Sequence, residues 1–149
     1  MAKFEMQAVL ETAQMFERLA NNAESVARQA VGAGANILAD EVAKNLESSI
    51  AKGASAREKS GYKLTGDLQR GLGITPVKKD NNGVWNAKVG FDGYGSDGRP
   101  LPLVARAMES GTSKQRKRPF IRPAVASAES RVQEEMQKVI KKAIEKEQR

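Results

Sequence analysis

The 149-residue chain contains no cysteine and no histidine. Without cysteine it can form no disulfide and offers no thiol nucleophile or thiolate metal ligand. Without histidine it lacks the commonest general base of enzymes and the commonest ligand of transition metals. Carboxylates and lysines could still carry chemistry, but the composition disfavours most enzyme classes. We therefore expect a protein that is not an enzyme and that uses no cofactor.

Aromatic side chains are scarce, with four Phe, two Tyr and one Trp, so the core has to be built mainly from Ala, Val, Leu and Ile. The chain also lacks any run of about eighteen apolar residues, which predicts that no segment spans a membrane. The opening residues, 1–5, do not form the apolar run of a signal peptide, and we expect synthesis in the cytosol. The length favours one domain, which we predict to cover residues 1–149.

What the chain has in excess is positive charge. It carries 25 Lys and Arg against 18 Asp and Glu, which gives a formal net charge of +7. Residues 1–60 hold seven basic and eight acidic side chains, whereas residues 61–149 hold 18 basic and ten acidic ones. Any anionic partner should therefore meet the second part of the chain.

Hydrophobic spacing predicts that the first part of the chain is largely helical. Residues 3–8 alternate weakly and predict a short strand, residues 9–19 have helical spacing, and Asn21-Asn22 should interrupt the helix. A longer helix is predicted over 23–50, where Gly32 and Gly34 indicate either a bend or a close packing contact. Small polar residues predict a mobile loop near 53–63.

The middle of the chain predicts a β-hairpin over residues 72–91. Its turn is Asp80-Asn81-Asn82-Gly83, because Asn and Gly tolerate positive φ. The following segment, 92–100, is rich in Gly and Asp and predicts a second mobile loop. Its spacing does not supply the ligand pattern of a calcium loop.

Two further helices are predicted towards the end of the chain. The first covers residues 101–110 and should stop at Gly111 in a left-handed conformation. The second begins near Pro123, which suits the first turn of a helix, and runs to about Lys146. The predicted fold class is α+β, with a small antiparallel sheet containing the hairpin and packed against the long helix and the C-terminal helix.

The sharpest local feature is a basic segment between these two helices. Lys114, Arg116, Lys117, Arg118 and Arg122 lie within nine residues of one another. These cations could contact phosphates, in which case binding would weaken as salt is added. They could equally bind carboxylates of a neighbouring subunit, or they could serve only to keep an exposed loop soluble.

The sequence offers little for catalysis. No phosphate-binding glycine loop is present. The hydroxyls of Ser60 and Thr112 have no histidine base, so a hydrolase would need one of them beside a lysine of lowered pKa. Asp40 and Glu41 are adjacent on a helix and point about 100° apart, so a solvated pair is expected rather than a catalytic dyad. We predict no catalytic, cofactor or metal site.

Three motifs together resemble a family of phage proteins. In chain order they are Thr65-Gly66-Asp67-Leu68, Glu109-Ser110-Gly111-Thr112 and Arg118-Pro119-Phe120-Ile121-Arg122-Pro123-Ala124. Their order and the elements between them resemble the minor tail-component proteins of lambda-like siphophages and prophages, also described as neck, tail-completion or head–tail joining proteins. The resemblance covers nearly the whole chain. The chain departs from the family pattern at Ser110, where an aromatic residue is usual, and at 61–63, where a proline is often found.

The resemblance implies a structural virion protein. Family members are thought to act as rings at the head–tail junction or at the top of the tail. The implied partners are therefore other connector or tail proteins and further copies of this chain, with no membrane contact. The basic surface could instead face the DNA channel and contact DNA without sequence specificity. The implied location is the virion, after synthesis in the host cytoplasm, and the alternative function is that of a basic DNA-binding accessory protein.

The motif residues and their neighbours divide into two groups. Contacts with partners are expected from Lys114, Arg116, Lys117, Arg118 and Arg122, above all from the last two. Architectural roles are expected for Thr65, Gly66, Leu68, Glu109, Gly111, Thr112, Pro119, Phe120 and Pro123. In this group the glycines permit positive φ, the prolines stiffen the entry to the last helix, and Phe120 secures that entry in the core.

Overall fold

The computed structural model of the protein describes residues 2–58, 66–114 and 116–148. Within these ranges the helices are α1 (Ala2–Glu58), α2 (Asp67–Gly71), α3 (Leu101–Ser110) and α4 (Ile121–Gln148). The strands are β1 (Leu72–Ile74), β2 (Lys78–Lys79), β3 (Trp85–Asn86) and β4 (Val89–Phe91). The predicted α+β class is confirmed, and so are the two helices predicted at 101–110 and towards the end of the chain.

Helix α1 is longer than the sequence predicts. Its 57 residues extend about 86 Å at the usual helical rise. The strand predicted at 3–8 is wrong, since a lone strand would leave backbone groups unpaired that a helix pairs internally. The loop predicted from residue 53 is wrong over 53–58, where the helix continues, and the rest of that loop lies outside the described residues.

The interruption predicted at Asn21-Asn22 is also wrong. Asn is a poor helix former, but its cost of about 0.7 kcal/mol or less is easily outweighed by tertiary packing. The Asn22 side chain donates from Nδ2 to Glu147 Oε1 at 2.9 Å, which joins this part of α1 to the end of α4. At Gly34 an added Cβ would lie 3.0 Å from Met136 Cγ, so this glycine marks a close packing contact within an unbroken helix.

Helices α1 and α4 pack antiparallel and form the body of the molecule. At one end of α4, Asn45 Nδ2 donates to the Phe120 carbonyl at 3.4 Å. At the other end, Arg18 Nε lies 3.5 Å from Glu147 Oε2. Because α4 ends beside this ion pair, the residues of α1 that precede it extend beyond α4 by about 24 Å.

The predicted hairpin over 72–91 is confirmed, although it is interrupted. Strand β1 pairs antiparallel with β4, and β2 pairs antiparallel with β3. Between the two ladders, the Lys88 N–H donates to Thr75 Oγ1 at 2.8 Å, so a side chain replaces a backbone acceptor. In the turn, Asp80 Oδ1 accepts hydrogen bonds from the N–H groups of Asn82 and Val84, both at 2.9 Å, and Gly83 has a φ of 80°.

The hairpin lies along α1. Lys79 Nζ is 3.2 Å from Glu24 Oε1, and the Arg28 guanidinium lies 5.3 Å from the centre of the Trp85 ring. These polar and cation–π contacts hold the tip of the hairpin against a part of α1 that lies far from the main core.

The main core lies where α3 and the start of α4 meet α1. Phe120, Leu46 and Met108 are its largest fully buried side chains. The Phe120 ring meets the Phe91 ring edge-on, with centroids 5.8 Å apart. The buried cluster comprises Val42, Leu46, Leu68, Leu101, Ala105, Met108, Phe120 and Ala124.

The short helix α2 was not expected from the sequence. It follows Gly66, which adopts φ 72° and ψ 9°, a left-handed conformation that glycine reaches without steric cost. The helix buries Leu68 in the core. Thr65, the first residue of this motif, lies outside the described residues.

The segment 92–100 is a loop, as predicted. The Leu101 N–H donates to the Gly93 carbonyl at 2.9 Å across its base. Asp67 Oδ2 accepts hydrogen bonds from the Ser96 N–H at 3.0 Å and the Ser96 hydroxyl at 2.9 Å. These bonds fasten the loop to α2, and its mobility stays a prediction.

Candidate functional site

The candidate site comprises the connection between α3 and α4 and the first two residues of α4, residues 111–122, which we call the basic connection. Within it, Gln115 lies outside the described residues. It begins at Gly111, whose N–H donates to the Ala107 carbonyl at 2.8 Å. Gly111 has a φ of 76°, so positive φ is confirmed here. Its ψ of 171° lies far from the value of about 47° in the left-handed helical conformation, so the left-handed helical stop predicted for this residue is wrong.

Glu109 holds the far end of this connection. Its Oε2 accepts hydrogen bonds from the N–H groups of Phe120 at 2.7 Å and Ile121 at 2.9 Å, and its Oε1 accepts one from Arg122 at 3.0 Å. The N–H groups at the start of a helix have no partner within it. One carboxylate on α3 thus satisfies three backbone donors at the start of α4 and also meets the positive end of its dipole.

The same contacts determine the ionisation of Glu109. Burial raises the pKa of the Glu109 carboxyl, but the three backbone N–H donors and the positive charge of Arg122 outweigh that effect. The pKa of Glu109 therefore lies below its usual value of 4.5. The carboxylate is ionised at neutral pH, which is the state that accepts all three hydrogen bonds.

Two further contacts secure the basic connection against the body. The Arg118 N–H donates to the Met108 carbonyl at 2.8 Å, which folds the chain back along α3. Phe120 is fully buried. Pro123 is the third residue of α4, where its missing N–H breaks no helical hydrogen bond. Pro119, which precedes Phe120, is exposed.

The cations of the basic connection do not share one environment. Four of them have exposed side chains, namely Lys114, Arg116, Lys117 and Arg122. Among the residues that the structure describes, no carboxylate lies within ion-pair distance of these four. Arg118 is different, because it is half-buried and its Nη1 lies 3.5 Å from the Ser49 carbonyl on α1. Of the two residues expected to lead the contacts, only Arg122 is fully available.

Sequence reasoning missed a second charged cluster, between α1 and α4. Glu41 is only 9% exposed and accepts hydrogen bonds from Ser127 Oγ at 2.8 Å and Arg131 Nη2 at 2.7 Å. These two bonds lower the pKa of Glu41 below its usual 4.5, against the opposing effect of burial. The expectation of a solvated Asp40–Glu41 pair is therefore wrong for Glu41. The signal was its spacing, because Glu41 follows Leu38, which packs against the core, by one helical turn.

Of the two hydroxyls considered above, that of Thr112 lies within the described residues. Thr112 Oγ1 accepts a hydrogen bond from the Lys114 N–H at 3.2 Å, and Ser60 lies outside the described residues. Among the side chains that are described, no group of three or more carboxylates is placed to hold a metal ion. Within the same part of the chain, no helix combines the length and the apolar character needed to cross a membrane.

Comparison with known proteins adds no relative. No family model, no curated protein and no solved structure matches this chain. The resemblance of its three motifs to the phage tail proteins therefore stays a prediction.

Proposed function

We propose that this protein is a structural subunit of the phage neck or tail top, which assembles as a ring and completes the tail or joins it to the head. The basic connection is its contact surface for neighbouring virion proteins. The observation that carries the proposal is that exposed cations without a described carboxylate partner stand on a segment secured at both ends. The order of the three motifs along the chain supports the assignment to the phage family.

The way in which the basic connection is held favours a contact role. A loop that is already ordered loses little conformational entropy when a partner binds it. Here Glu109 binds three N–H groups at one end, Gly111 is bonded to α3 at the other, and Phe120 lies in the core. Backbone hydrogen bonds thus fix Arg118 and Arg122, and the exposed Lys114, Arg116 and Lys117 lie between Gly111 and Arg118.

The chemistry of these cations indicates an acidic partner surface. Arginine presents a planar fork that binds a carboxylate through two parallel hydrogen bonds. A ring is closed by a heterologous interface, in which two different patches of the same chain meet. The acidic patch could therefore belong to the next copy of this chain or to a connector or tail protein.

The test compares two triple variants for binding to the purified connector and tail-tube proteins of the same phage. The first, R116A/K117A/R122A, removes three exposed cations from the basic connection. The matched control, K78A/K88A/R106A, removes three exposed cations from the hairpin and α3. We expect the first variant to bind at least about tenfold more weakly than the native chain, because truncating one member of a charged interfacial pair costs about 2–5 kcal/mol. The control should bind almost normally.

Two results would contradict this proposal. One is a native chain that remains monomeric and binds neither protein, measured by the mass of the mixture. The other is a basic-connection variant that binds as tightly as the native chain while its circular dichroism shows an intact fold.

The excess of cations in residues 61–149 favours a second candidate function, duplex DNA binding. The native chain and the same two variants can be titrated with duplex DNA in a gel shift at rising salt. Tight binding that falls steeply with salt and is lost in the basic-connection variant would favour DNA as the partner, since each phosphate contact releases counterions. Weak binding with equal losses in both variants would leave the protein-contact proposal in place.

A further inference from the structure

The part of α1 that extends beyond α4 carries an apolar stripe. Val9 and Phe16 are 67% and 61% exposed, although both are large apolar side chains. Together with Thr12 and Ala13 they line one depression on the helix surface. At 3.6 residues per turn, positions 9, 13, 16, 20, 23 and 27 follow one another along a single face of α1.

The exposure of this face changes along α1. At Ala30 and Gly34 it becomes buried against α4, where Met136 meets Gly34. Towards the N-terminus the same face is uncovered, and it is occupied by alanines at 20 and 23 and by larger side chains at 9 and 16. This face is the continuation of the one that packs in the core. Over residues 9–17, which extend beyond the end of α4, no described segment covers it.

The end of α4 adds to this exposed apolar area. Ile140 and Ile144 are 41% and 38% exposed and are one helical turn apart. Because Glu147 pairs with Arg18, and Met136 meets Gly34, these isoleucines lie alongside residues 20–30 of α1. The uncovered area thus extends about 27 Å along α1, from residue 9 to residue 27, and the end of α4 widens it beside residues 20–30.

The sizes of the side chains along the stripe suit an interface with twofold symmetry. In an antiparallel pair of α1 helices with the axis near residue 18, facing residue numbers add up to about 36. Large side chains of one copy then face alanines of the other in the pairs Phe16–Ala20 and Val9–Ala27, and two alanines meet in the pair Ala13–Ala23. Alanines let the helices approach closely, and the overhanging side chains also reach Ile140 and Ile144 of the second copy.

The charges of the two surfaces are complementary. Residues 9–17 carry Glu11 and Glu17 and no cation, whereas residues 138–146 carry four lysines and one glutamate. In the antiparallel arrangement the acidic overhang of each copy lies beside the lysine-rich end of α4 of the other. Such complementarity aligns the two chains in this register.

We propose that a second copy of this chain covers the stripe, so that the N-terminal overhangs of two α1 helices pack antiparallel, each across the end of α4 of the other copy. The geometry that carries this inference is the uncovered apolar face formed by Val9, Ala13, Phe16, Ile140 and Ile144. It does not rest on the virion assignment, because it involves the opposite end of α1 from the basic connection.

Light scattering of the purified full chain tests the proposal. The native chain should have about twice its 16.1 kDa mass over a wide concentration range. The F16E variant should dimerise more weakly by roughly tenfold or more, since a central aromatic side chain dominates such an interface. The matched control L103E alters an equally exposed apolar side chain on α3, 60% against 61%, and should remain dimeric.

Disulfide trapping tests the register independently, because the native chain has no cysteine. An equimolar mixture of A13C and A23C chains should give a mixed disulfide on oxidation. A mixture of A13C and S25C chains, with the second cysteine on the far side of the helix, should give several-fold less. A native chain that stays monomeric, an F16E variant that dimerises like the native chain, or equal trapping in both mixtures would each overturn the proposal.

Discussion

At the scale of single residues, the Arg-Pro-Phe-Ile-Arg-Pro-Ala motif is explained by what its members contact. Phe120 fills the core, Pro123 occupies a position of α4 where no N–H is needed, and the backbone of the segment is bound by Glu109. This leaves the Arg122 side chain exposed while its N–H is fixed. The motif therefore combines a structural backbone with an available cation.

Replacement of Glu109 tests this explanation most directly. E109Q should lower the free energy of unfolding by roughly 1–3 kcal/mol near pH 7, because a neutral amide accepts hydrogen bonds more weakly than a carboxylate, and its NH₂ would face an N–H donor. Urea unfolding followed by circular dichroism measures the difference. E129Q replaces an exposed glutamate on α4 and should change the stability little.

The pH dependence of that difference has a definite sign. Because the pKa of folded Glu109 lies below 4.5, its carboxylate stabilises the fold above that value, and this contribution is lost as the pH falls through the folded pKa. The difference in the free energy of unfolding between the native and E109Q proteins should therefore be constant near neutral pH and should disappear in acid. A difference that persists in strong acid, or the absence of a difference near pH 7, would contradict the stabilising role of the Glu109 carboxylate.

At the scale of elements, the sequence predicted the centres of α1, α3 and α4 but mistook several of their ends, and it did not predict α2. The apolar periodicity of residues 23–50 was sufficient to predict a helix, and Gly111 was sufficient to predict where α3 stops. The strand at 3–8 and the break at Asn21-Asn22 were inferred from local patterns alone. Whether a strand has a partner, or whether Asn22 meets Glu147, depends on residues far along the chain and cannot be read locally.

Gly32 and Gly34 in the middle of α1 give a matched test of how α1 packs. At Gly32 an added Cβ would make an ordinary contact with Val77 at 3.9 Å, whereas at Gly34 it would lie 3.0 Å from Met136 Cγ and 3.1 Å from Val132 Cγ1. Alanine gains up to about 1 kcal/mol over glycine within a helix. G32A should therefore raise the free energy of unfolding by up to about that amount.

G34A should gain less than G32A or should destabilise the protein, because the close approach of α4 opposes the added methyl group. Thermal or urea unfolding of the two variants side by side gives the comparison. Equal stabilisation by both substitutions would mean that α4 does not lie against Gly34 as the structure has it.

At the scale of the whole molecule, two surfaces of different character occupy opposite ends of α1. The basic connection lies beside Ser49, and the apolar overhang begins about 50 Å away, before Arg18. A subunit with separate contact surfaces at its two ends can bind one partner without blocking the other. That arrangement suits a protein that works by assembly.

The sequence predicted the α+β class and the basic segment, but it did not predict which cations would be available. Arg118 and Arg122 are four residues apart and look alike in sequence, yet Arg118 lies against the Ser49 carbonyl and Arg122 is exposed. Glu109 could be noticed as a motif residue, but its three N–H partners lie eleven to thirteen positions further on. Only the folded backbone brings them together.

We propose that the phage needs this protein to build the junction between head and tail. The most direct measurement is electron microscopy, together with infectivity, of particles made by a phage whose copy of this gene is disrupted. We expect full heads that are not joined to tails, or tails whose upper ends are incomplete. Infectivity should be restored when the native protein is supplied in trans. Intact tailed particles of normal infectivity from the disrupted phage would contradict the account.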